Sequence, residues 1–341
     1  MTKVLVTGAS GYIAKHIVLQ LLLAGYEVRA SVRSKGRADQ LLNSMRAHLN
    51  KTADAALPLT FVELDLNRDA GWPAAMQDID VLMHTASPFP LDTPGDEEEL
   101  IRPAVDGTLR ALQAAVEYGV KRIVLTSSTA AVVYRPPTEA GIPFDESHWS
   151  VPDHPACNAY GKSKTLAELA AWEFIETQAA ECNLTTINPG LAIGPALDSR
   201  IGTSLQVLQR LLLAKDPALP KIGFACVDVR DVATAHVRAI DRPATYGKRI
   251  LAVSQFVWFH ELAMTLSNAY PDRRIPTRLA PSWLIKFLAV FNKRVAAVVP
   301  NLEVDFNISN QRAIELLGID FQGPEKSVLE SARFLIDNDL V

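Results

Sequence analysis

Residues 3–32 constrain the fold of this chain more than any other stretch. The stretch begins with an apolar run at residues 3–6, followed by a turn at 7–14 that contains Gly8 and Gly11. Residues 16–23 have a helical composition, and a second apolar run follows at 27–32. This order predicts a strand, a glycine turn, a helix and a strand, which is the βαβ unit that binds dinucleotides. Glycines let the backbone approach a pyrophosphate, and the helix N-terminus offers unpaired N–H groups to it.

The alternation of strands and helices continues along the chain. Further strands are predicted at residues 59–63, 81–85, 122–126 and 185–187, with helices at 98–118 and from Tyr160 to about 178. Such alternation predicts a parallel sheet covered on both faces, and ligands bind beyond the carboxyl ends of its strands. The residues that fall at or just beyond predicted strand ends are Gly8, Asp65, Ala86, Ser128 and Pro189. We therefore expect these positions to meet in one crevice.

The alternation changes after Pro189. Residues 190–222 read as a loop with one helix, a strand-like piece and a helix return before residue 240, and residues 256–341 hold helices separated by prolines. We predict an α/β fold: a Rossmann-type doubly wound parallel sheet with a smaller, mostly helical C-terminal substrate lobe. The nucleotide domain would comprise 1–189 with about 223–255, and the substrate lobe about 190–222 with 256–341.

Charge and cysteine content exclude several classes of function. The net charge is -4 and the pI about 6.0, which does not favour nucleic acid or anionic membranes as partners. Three cysteines are well separated and odd in number, which argues against disulfides and structural zinc. No signal-peptide pattern opens the chain, and the apolar run at 283–299 is interrupted by basic residues. We expect a cytoplasmic protein without a metal that acts on a small molecule, as a monomer or homodimer.

Tyr160 and Lys164 are candidates for acid–base chemistry. Residues 165–178 are rich in Ala, Leu and Glu, so both side chains are expected on one face of a helix, four residues apart. An ammonium favours a phenolate, and we expect it to lower the pKa of the tyrosine. The spacing also occurs by chance on surface helices, so the rest of the chain must decide between the two interpretations.

Taken together, the motifs resemble the extended short-chain dehydrogenases/reductases, in the branch of dihydroflavonol reductases and cinnamoyl-CoA reductases. The segments that carry the resemblance, over nearly the whole chain, are residues 7–14, 32–33, 65–66, 84–88, 126–128, 160–164, 188–190 and 229–233. One departure is Asp106, where relatives often carry Asn, and we assign it no catalytic role.

The resemblance implies a reductase mechanism and a set of site residues. Tyr160 would protonate the carbonyl oxygen, Ser128 would hydrogen-bond it, and Lys164 would lower the tyrosine pKa and bind ribose hydroxyls. The cofactor-binding residues implied by the family are Gly8, Ser10, Gly11, Tyr12, Ile13, Arg33, Asp65, Leu66, Thr85, Ala86, Ser87, Tyr160, Lys164 and Pro189. Ser127, His84, Asp231 and Cys157 are interpreted as packing or supporting groups.

The end of the second strand predicts NADPH rather than NADH as the cofactor. A fold that binds NAD normally places a carboxylate here for the ribose 2′-hydroxyl. This chain instead has Arg33, within Arg-Ser-Lys-Gly-Arg at residues 33–37, and its next acid is Asp39. A guanidinium suits a 2′-phosphate, because it offers paired donors to phosphate oxygens.

The substrate is expected to be an aromatic or bulky aliphatic aldehyde or ketone. This expectation depends on apolar candidates for the pocket walls, namely Phe89, Trp149, Leu205, Leu208, Phe224, Phe256, Trp258 and Trp283. Two alternatives stay open: an NAD-dependent sugar-nucleotide epimerase/dehydratase, and a non-catalytic dinucleotide sensor that regulates a partner. A sensor would not need Ser128, Tyr160 and Lys164.

Overall fold

The computed structural model describes residues 1–52, 55–87, 96–136, 138–139 and 142–341. The strands are β1 Lys3–Thr7, β2 Glu27–Val32, β3 Leu59–Glu63, β4 Val81–His84, β5 Arg122–Thr126, β6 Asn183–Pro189, β7 Leu191–Ile193, β8 Gly223–Asp228, β9 Lys248–Ala252 and β10 Gln255–Trp258. The helices are α1 Tyr12–Leu23, α2 Lys35–His48, α3 Trp72–Met76, α4 Glu98–Glu117, α5 Ala159–Gln178, α6 Thr203–Leu212, α7 Val229–Ile240, α8 Phe259–Ala269, α9 Ser282–Ala289, α10 Lys293–Ala296, α11 Gln311–Leu317 and α12 Pro324–Asp337.

A seven-stranded parallel sheet forms the centre of the molecule, in the order β3-β2-β1-β4-β5-β6-β9. One face packs against α1, α2, α7 and α11, and the other against α3, α4 and α5. The chain reverses its direction across the sheet between β1 and β4, which opens a crevice at their carboxyl ends. The predicted doubly wound Rossmann-type fold is confirmed.

A second sheet of three strands, β10-β8-β7, stands beside the first. Strand β8 pairs with β7 in parallel and with β10 in antiparallel, and α6, α8 and α12 cover these strands. From the sequence, we assigned residues 223–255 to the nucleotide domain and expected the substrate lobe to be mostly helical. Strand β8 lies within that range but pairs in the small sheet, which the sequence did not predict. The domain boundaries themselves stay a prediction.

Two glycines are required where backbones approach closely. Gly8 has φ +62°, and a Cβ there would lie 2.9 Å from the Cα of Ala86, so β1 and β4 end against each other. Gly190 joins β6 to β7, and a Cβ there would lie 2.0 Å from the carbonyl oxygen of Ala225 in β8. Gly190 is therefore the point where the large sheet and the small sheet cross.

Two predicted helices differ from those observed. Helix α1 begins at Tyr12 rather than at residue 16, because Gly11 already takes the extended conformation of an N-terminal cap. The run at 283–299 is divided between α9 and α10, and the side chain of Asn292 accepts a hydrogen bond from Val295 N (3.4 Å) at the second start. Across the described ranges, no helix is long and apolar enough to cross a membrane.

Candidate active site

Ser128 and Tyr160 face one cavity of about 240 Å³ beyond the carboxyl ends of β5 and β6. Ser128 follows β5, and its hydroxyl accepts a hydrogen bond from Ala130 N (3.1 Å) in a short 3₁₀ turn. Tyr160 is in the first turn of α5, where the side chain of Asn158 caps the helix by accepting from Gly161 N (2.9 Å). The end of a strand and the start of a helix thus bring the two predicted catalytic side chains together.

The side chains of Tyr160 and Ser128 are hydrogen-bonded to each other, and this bond lowers the pKa of the phenol. Burial is the larger influence, however, and it raises the pKa of Tyr160 above its usual value. The expected lowering by Lys164 is therefore wrong as the dominant effect, since the cost of burying a phenolate outweighs the favourable interactions. The phenol carries its proton at neutral pH.

Lys164 lies one turn further along α5 and is 8% exposed. Burial lowers the pKa of its ammonium to about 8, whereas the carboxylate of Glu168 raises it. Nearby His84 is neutral, because burial, assisted by the charge of Lys164, lowers its pKa to about 3. His84 Nδ1 is bonded to the hydroxyl of Thr7 (2.9 Å) at the end of β1. His84 is thus a buried supporting group, as its sequence position suggested.

Glu168 is a buried carboxylate at the centre of a hydrogen-bond network that the sequence did not reveal. Its oxygens accept hydrogen bonds from Ser127 Oγ (2.6 Å), Thr186 Oγ1 (2.8 Å), Asn188 Nδ2 (2.7 Å), Trp172 Nε1 (3.3 Å) and Arg249 Nε (2.8 Å). These bonds, led by the charge of Arg249, lower the pKa of Glu168 in spite of its burial. The network joins α5 to β6, to β9 and to the residue that precedes Ser128.

A second cavity, of about 550 Å³, contains most of the predicted cofactor-binding residues. Its described lining comprises Thr7, Gly8, Ser10, Gly11, Ser31, Val32, Arg33, Arg37, Leu64, Leu66, Trp72, Thr85, Ala86, Ser87, Arg200, Ile201, Gly202, Thr203 and Gln206. Asp65 lines an adjoining cavity together with Arg33 and Leu66. The structure thus brings the glycine turn and the ends of β2, β3 and β4 to one place.

Three predicted cofactor-binding residues are placed differently. The side chain of Tyr12 is in the core, and its hydroxyl donates to Gly194 O (2.7 Å); Ile13 is partly buried against the core. Pro189 is buried at the end of β6, where it pairs with Ala252. Tyr12 and Ile13, at the start of α1, can therefore offer a ligand their backbone N–H groups but not their side chains.

The cofactor cavity fits a dinucleotide that carries an extra phosphate. Its described lining contains three arginines, Arg33, Arg37 and Arg200, and no carboxylate. The start of α1 adds unpaired N–H groups and the positive end of the helix dipole. Arg37 and Arg200 were not among the predicted site residues, and Arg200 is too distant in sequence for any short motif to connect it with the glycine turn.

The predicted substrate walls are largely wrong. The cavity at Ser128 and Tyr160 is otherwise lined, among described residues, by Thr129, Ala130, Val133, Tyr134, Gly190, Leu191, Ser204, Ile222, Gly223, Phe224, Ala225, Asn301, Phe306 and Ile308. Phe224 is the one predicted wall residue in this set. Leu205, Leu208, Phe256, Trp258, Trp149 and Trp283 are elsewhere, and Phe89 lies outside the described residues. Trp283 is 69% exposed on α9, and Trp149 instead stacks on Arg249, with the guanidinium 3.6 Å from its ring centre.

Cys157 precedes α5 and is 4% exposed. Burial raises the pKa of its thiol to about 11, so it is a packed thiol rather than a nucleophile. Asp231, at the start of α7, accepts a hydrogen bond from Gln322 N (2.8 Å), which is a supporting role, as its sequence position suggested.

Comparisons with known proteins agree with this geometry. The family model described as "NAD dependent epimerase/dehydratase family" matches residues 4–253. The ketoreductase azaE of Aspergillus niger is 36% identical over 296 residues, which cover 82% of this chain and 85% of that protein. Cinnamoyl-CoA reductase 1 of Arabidopsis thaliana is 32% identical over 338 residues, covering 97% and 88%. The structure of yeast methylglyoxal/isovaleraldehyde reductase Gre2 complexed with NADPH superimposes with a TM-score of 0.81, at 27% identity, over 100% of both chains.

Proposed function

The chain belongs to the NAD dependent epimerase/dehydratase family, the extended short-chain dehydrogenases/reductases, and we propose from this premise that it is an NADPH-dependent carbonyl reductase. It reduces an aldehyde or ketone to an alcohol. NADPH supplies the hydride when it is bound in the cavity lined by Arg33 and Gly8. The sugar-nucleotide epimerase and the dinucleotide sensor are not favoured.

The proposed roles follow from the positions of the side chains. Tyr160 donates its proton to the carbonyl oxygen, and Ser128 donates a hydrogen bond to the same oxygen, where negative charge develops. Lys164, as an ammonium behind Tyr160, favours the phenolate that remains and binds ribose hydroxyls. The phenol of Tyr160 is protonated at neutral pH, which is the form that can donate, and its hydrogen bond with Ser128 acts against the rise in pKa that burial causes.

The observation that carries the proposal is the hydrogen bond between Tyr160 and Ser128, which both line a cavity without charged residues among those described. Two donors that converge on one point can bind one oxygen atom, which is what carbonyl reduction requires. Among the described residues lining this cavity none is charged, and most are apolar.

An uncharged, largely apolar cavity favours an aromatic or bulky aliphatic carbonyl compound as the substrate. Phe224, Phe306 and Ile308 offer apolar surface, and the volume of about 240 Å³ suits a small substrate. A sugar nucleotide would bring a diphosphate, which proteins bind with arginines or with backbone N–H groups at a helix N-terminus.

The test is a panel of carbonyl compounds followed by NADPH absorbance. We expect aryl aldehydes, aryl ketones and branched aliphatic aldehydes to be reduced, with little turnover of short polar carbonyls. UDP-sugars are the matched alternative, assayed for epimerisation with NAD. Faster conversion of a UDP-sugar than of every carbonyl compound would refute the proposal.

The protein is further proposed to act in the cytoplasm as a monomer or homodimer. Cys157, Cys182 and Cys226 are free and buried, which suits a reducing compartment. Light scattering after size exclusion would give the oligomeric state, and cell fractionation the location.

A further inference from the structure

The segment of residues 194–202, here called the strap, crosses the start of α1. Side chains of α1 and α2 hold its backbone: Tyr12 Oη donates to Gly194 O (2.7 Å), His16 Nε2 is bonded to Pro195 O (3.0 Å), Ser44 Oγ donates to Leu197 O (2.9 Å), and Lys15 Nζ pairs with Asp198. Lys15 is only 1% exposed, so this contact is an interior one. The strap is therefore a fixed part of the nucleotide-binding side of the molecule, although it lies far from α1 in sequence.

Arg200 is held in this strap by two hydrogen bonds of its backbone. Its carbonyl oxygen accepts a hydrogen bond from Lys15 Nζ (3.2 Å), and its N–H donates to Asp198 Oδ1 (2.9 Å). Two residues further on, Gly202 lies so close to α1 that a Cβ would be 2.8 Å from Tyr12 Cβ. Arg200 thus stands over the first turn of α1.

Arg200 is exposed and lines the same cavity as Gly8, Ser10 and Gly11. Arg33 and Arg37 enter this cavity from the end of β2 and the start of α2, the side where the ribose 2′-phosphate is expected. Arg200 enters it from the strap, beside the helix N-terminus where the pyrophosphate is expected. The cavity therefore receives arginines from two distant parts of the chain, the end of β2 with the start of α2 and the strap.

We propose that Arg200 binds the pyrophosphate of the cofactor, as a clamp that faces the glycine turn. The proposal rests on the proposed function, since it takes NADPH as the ligand. The N–H groups at the start of α1 approach the pyrophosphate from one side, and the guanidinium of Arg200 supplies charge-assisted donors from the other. Because NADPH and NADH share the pyrophosphate, Arg200 contributes to the binding of both, whereas Arg33 distinguishes between them.

The test is direct titration of NADPH and NADH, followed by the fluorescence of the bound reduced nicotinamide, without any substrate. For Arg200→Ala we expect the Kd of both cofactors to rise by a similar factor, on the order of tenfold, which is the usual scale for one charge-assisted hydrogen bond. Arg200→Lys should recover part of the loss. The melting temperature without cofactor should not change, because the backbone contacts of the strap remain.

Arg210→Ala is the matched control, because this arginine is on the neighbouring α6, pairs with Asp216 and does not line the cavity. Its Kd values should equal those of wild type. Equal affinity of Arg200→Ala and wild type for both cofactors would overturn the inference while leaving the proposed function intact. A loss confined to NADPH would also overturn it, since the ligand would then be the 2′-phosphate. If wild type itself bound no NADPH, the proposed function would fail first.

Discussion

At the scale of single residues, Tyr160 shows how burial and one hydrogen bond act in opposite directions on the pKa of a phenol. Burial raises the pKa of the phenol, and the hydrogen bond with Ser128 only partly opposes this. The side chain is consequently protonated at neutral pH and suited to donate. Because burial alone makes the phenol a weaker acid, the hydrogen bond with Ser128 acts in the direction that donation requires.

Removing only the hydroxyl of this residue tests its role. We expect Tyr160→Phe to lower kcat for the best carbonyl by roughly 10²-fold or more, the scale of general acid catalysis, with little change in the Kd of NADPH. Tyr134→Phe is the control, because Tyr134 lines the same cavity and loses the same atom. A Tyr160→Phe enzyme that retained wild-type kcat within a few-fold would rule out the assignment.

Arg33 is the residue on which the choice of cofactor is predicted to depend. It is exposed at the end of β2, beside Leu66 and Asp65 in the adjoining cavities. We expect wild type to prefer NADPH over NADH by roughly ten- to a hundred-fold, as one charge-assisted contact implies.

Arg33→Ala should remove most of that preference by raising the KM for NADPH, while the KM for NADH stays nearly constant. The measurement is kcat/KM for both cofactors with one good carbonyl substrate. Lys35→Ala serves as the control, since Lys35 is equally exposed in the same basic stretch but does not line either cavity. Equal use of both cofactors by the wild type would contradict the prediction.

At the scale of elements, α5 carries three functional groups on one face. Tyr160, Lys164 and Glu168 follow each other at intervals of four residues, so the proposed proton donor, the ammonium and the buried carboxylate lie in a row. Glu168 fixes the depth of this helix through its bonds to Thr186 and Asn188 in β6. The same carboxylate favours the charged form of Lys164.

The pKa of Lys164 predicts how kcat/KM falls at alkaline pH. The ammonium of Lys164 is present below its pKa of about 8 and is lost as the pH rises through that value. The kcat/KM for NADPH, which reports the free enzyme, should therefore fall above about pH 8. Of the other groups around Lys164, Tyr160 is a neutral phenol and His84 a neutral imidazole, so Glu168 is the anion that favours its charge.

Glu168→Gln should move the alkaline fall of kcat/KM to lower pH, by about one pH unit, because Lys164 loses the anion that stabilises its charged form. A purely structural effect would lower kcat/KM at every pH without moving the midpoint. Glu173→Gln, an exposed position on the same helix, is the control and should leave the profile unchanged. An unmoved midpoint in Glu168→Gln would contradict the electrostatic role.

At the scale of the whole molecule, the site depends on the crossing of two sheets. Gly190 lies where β6 of the large sheet passes β8 of the small one, and it lines the cavity with Ser128. A contact between backbones therefore holds together the two sides of the cavity proposed to bind the substrate. Side chains at this crossing could not be accommodated without separating the sheets.

Adding one methyl group at the crossing tests this dependence. We expect Gly190→Ala to lower the free energy of unfolding by about 3 kcal/mol, the upper part of the range for overpacking, because the new carbon meets a carbonyl oxygen of the backbone. Urea unfolding measures the change. Gly36→Ala in α2 is the control: its Cβ would meet nothing within 4 Å, so it should be neutral or slightly stabilising. Equal stability of Gly190→Ala and wild type would contradict the prediction.

The sequence was sufficient for six of the seven strands of the large sheet, β9 being the exception, and for the residues near their ends. Alternation and glycine placement are local signals, so Gly8, Ser128 and Tyr160 could be located from short motifs. The small sheet, the strap and the substrate walls could not, because they depend on contacts between distant segments. Trp283 and Leu205 illustrate this: both are apolar, but one is exposed on α9 and the other buried in the core, and only tertiary packing distinguishes them.

The pairing of Glu168 with Arg249 also restricts how this enzyme can change over generations. Both side chains are nearly inaccessible, and replacing either alone leaves an uncompensated charge in the interior. A library of single substitutions should thus lose most variants at the two positions, with Glu168→Gln, which keeps the shape of the side chain and one acceptor oxygen, among the exceptions. Joint replacement by apolar residues would remove both charges but would leave Ser127, Thr186 and Asn188 without their acceptor. Apart from such exceptions, Glu168 and Arg249 can therefore change only together, so α5, the helix that carries Tyr160, should be difficult to alter one substitution at a time.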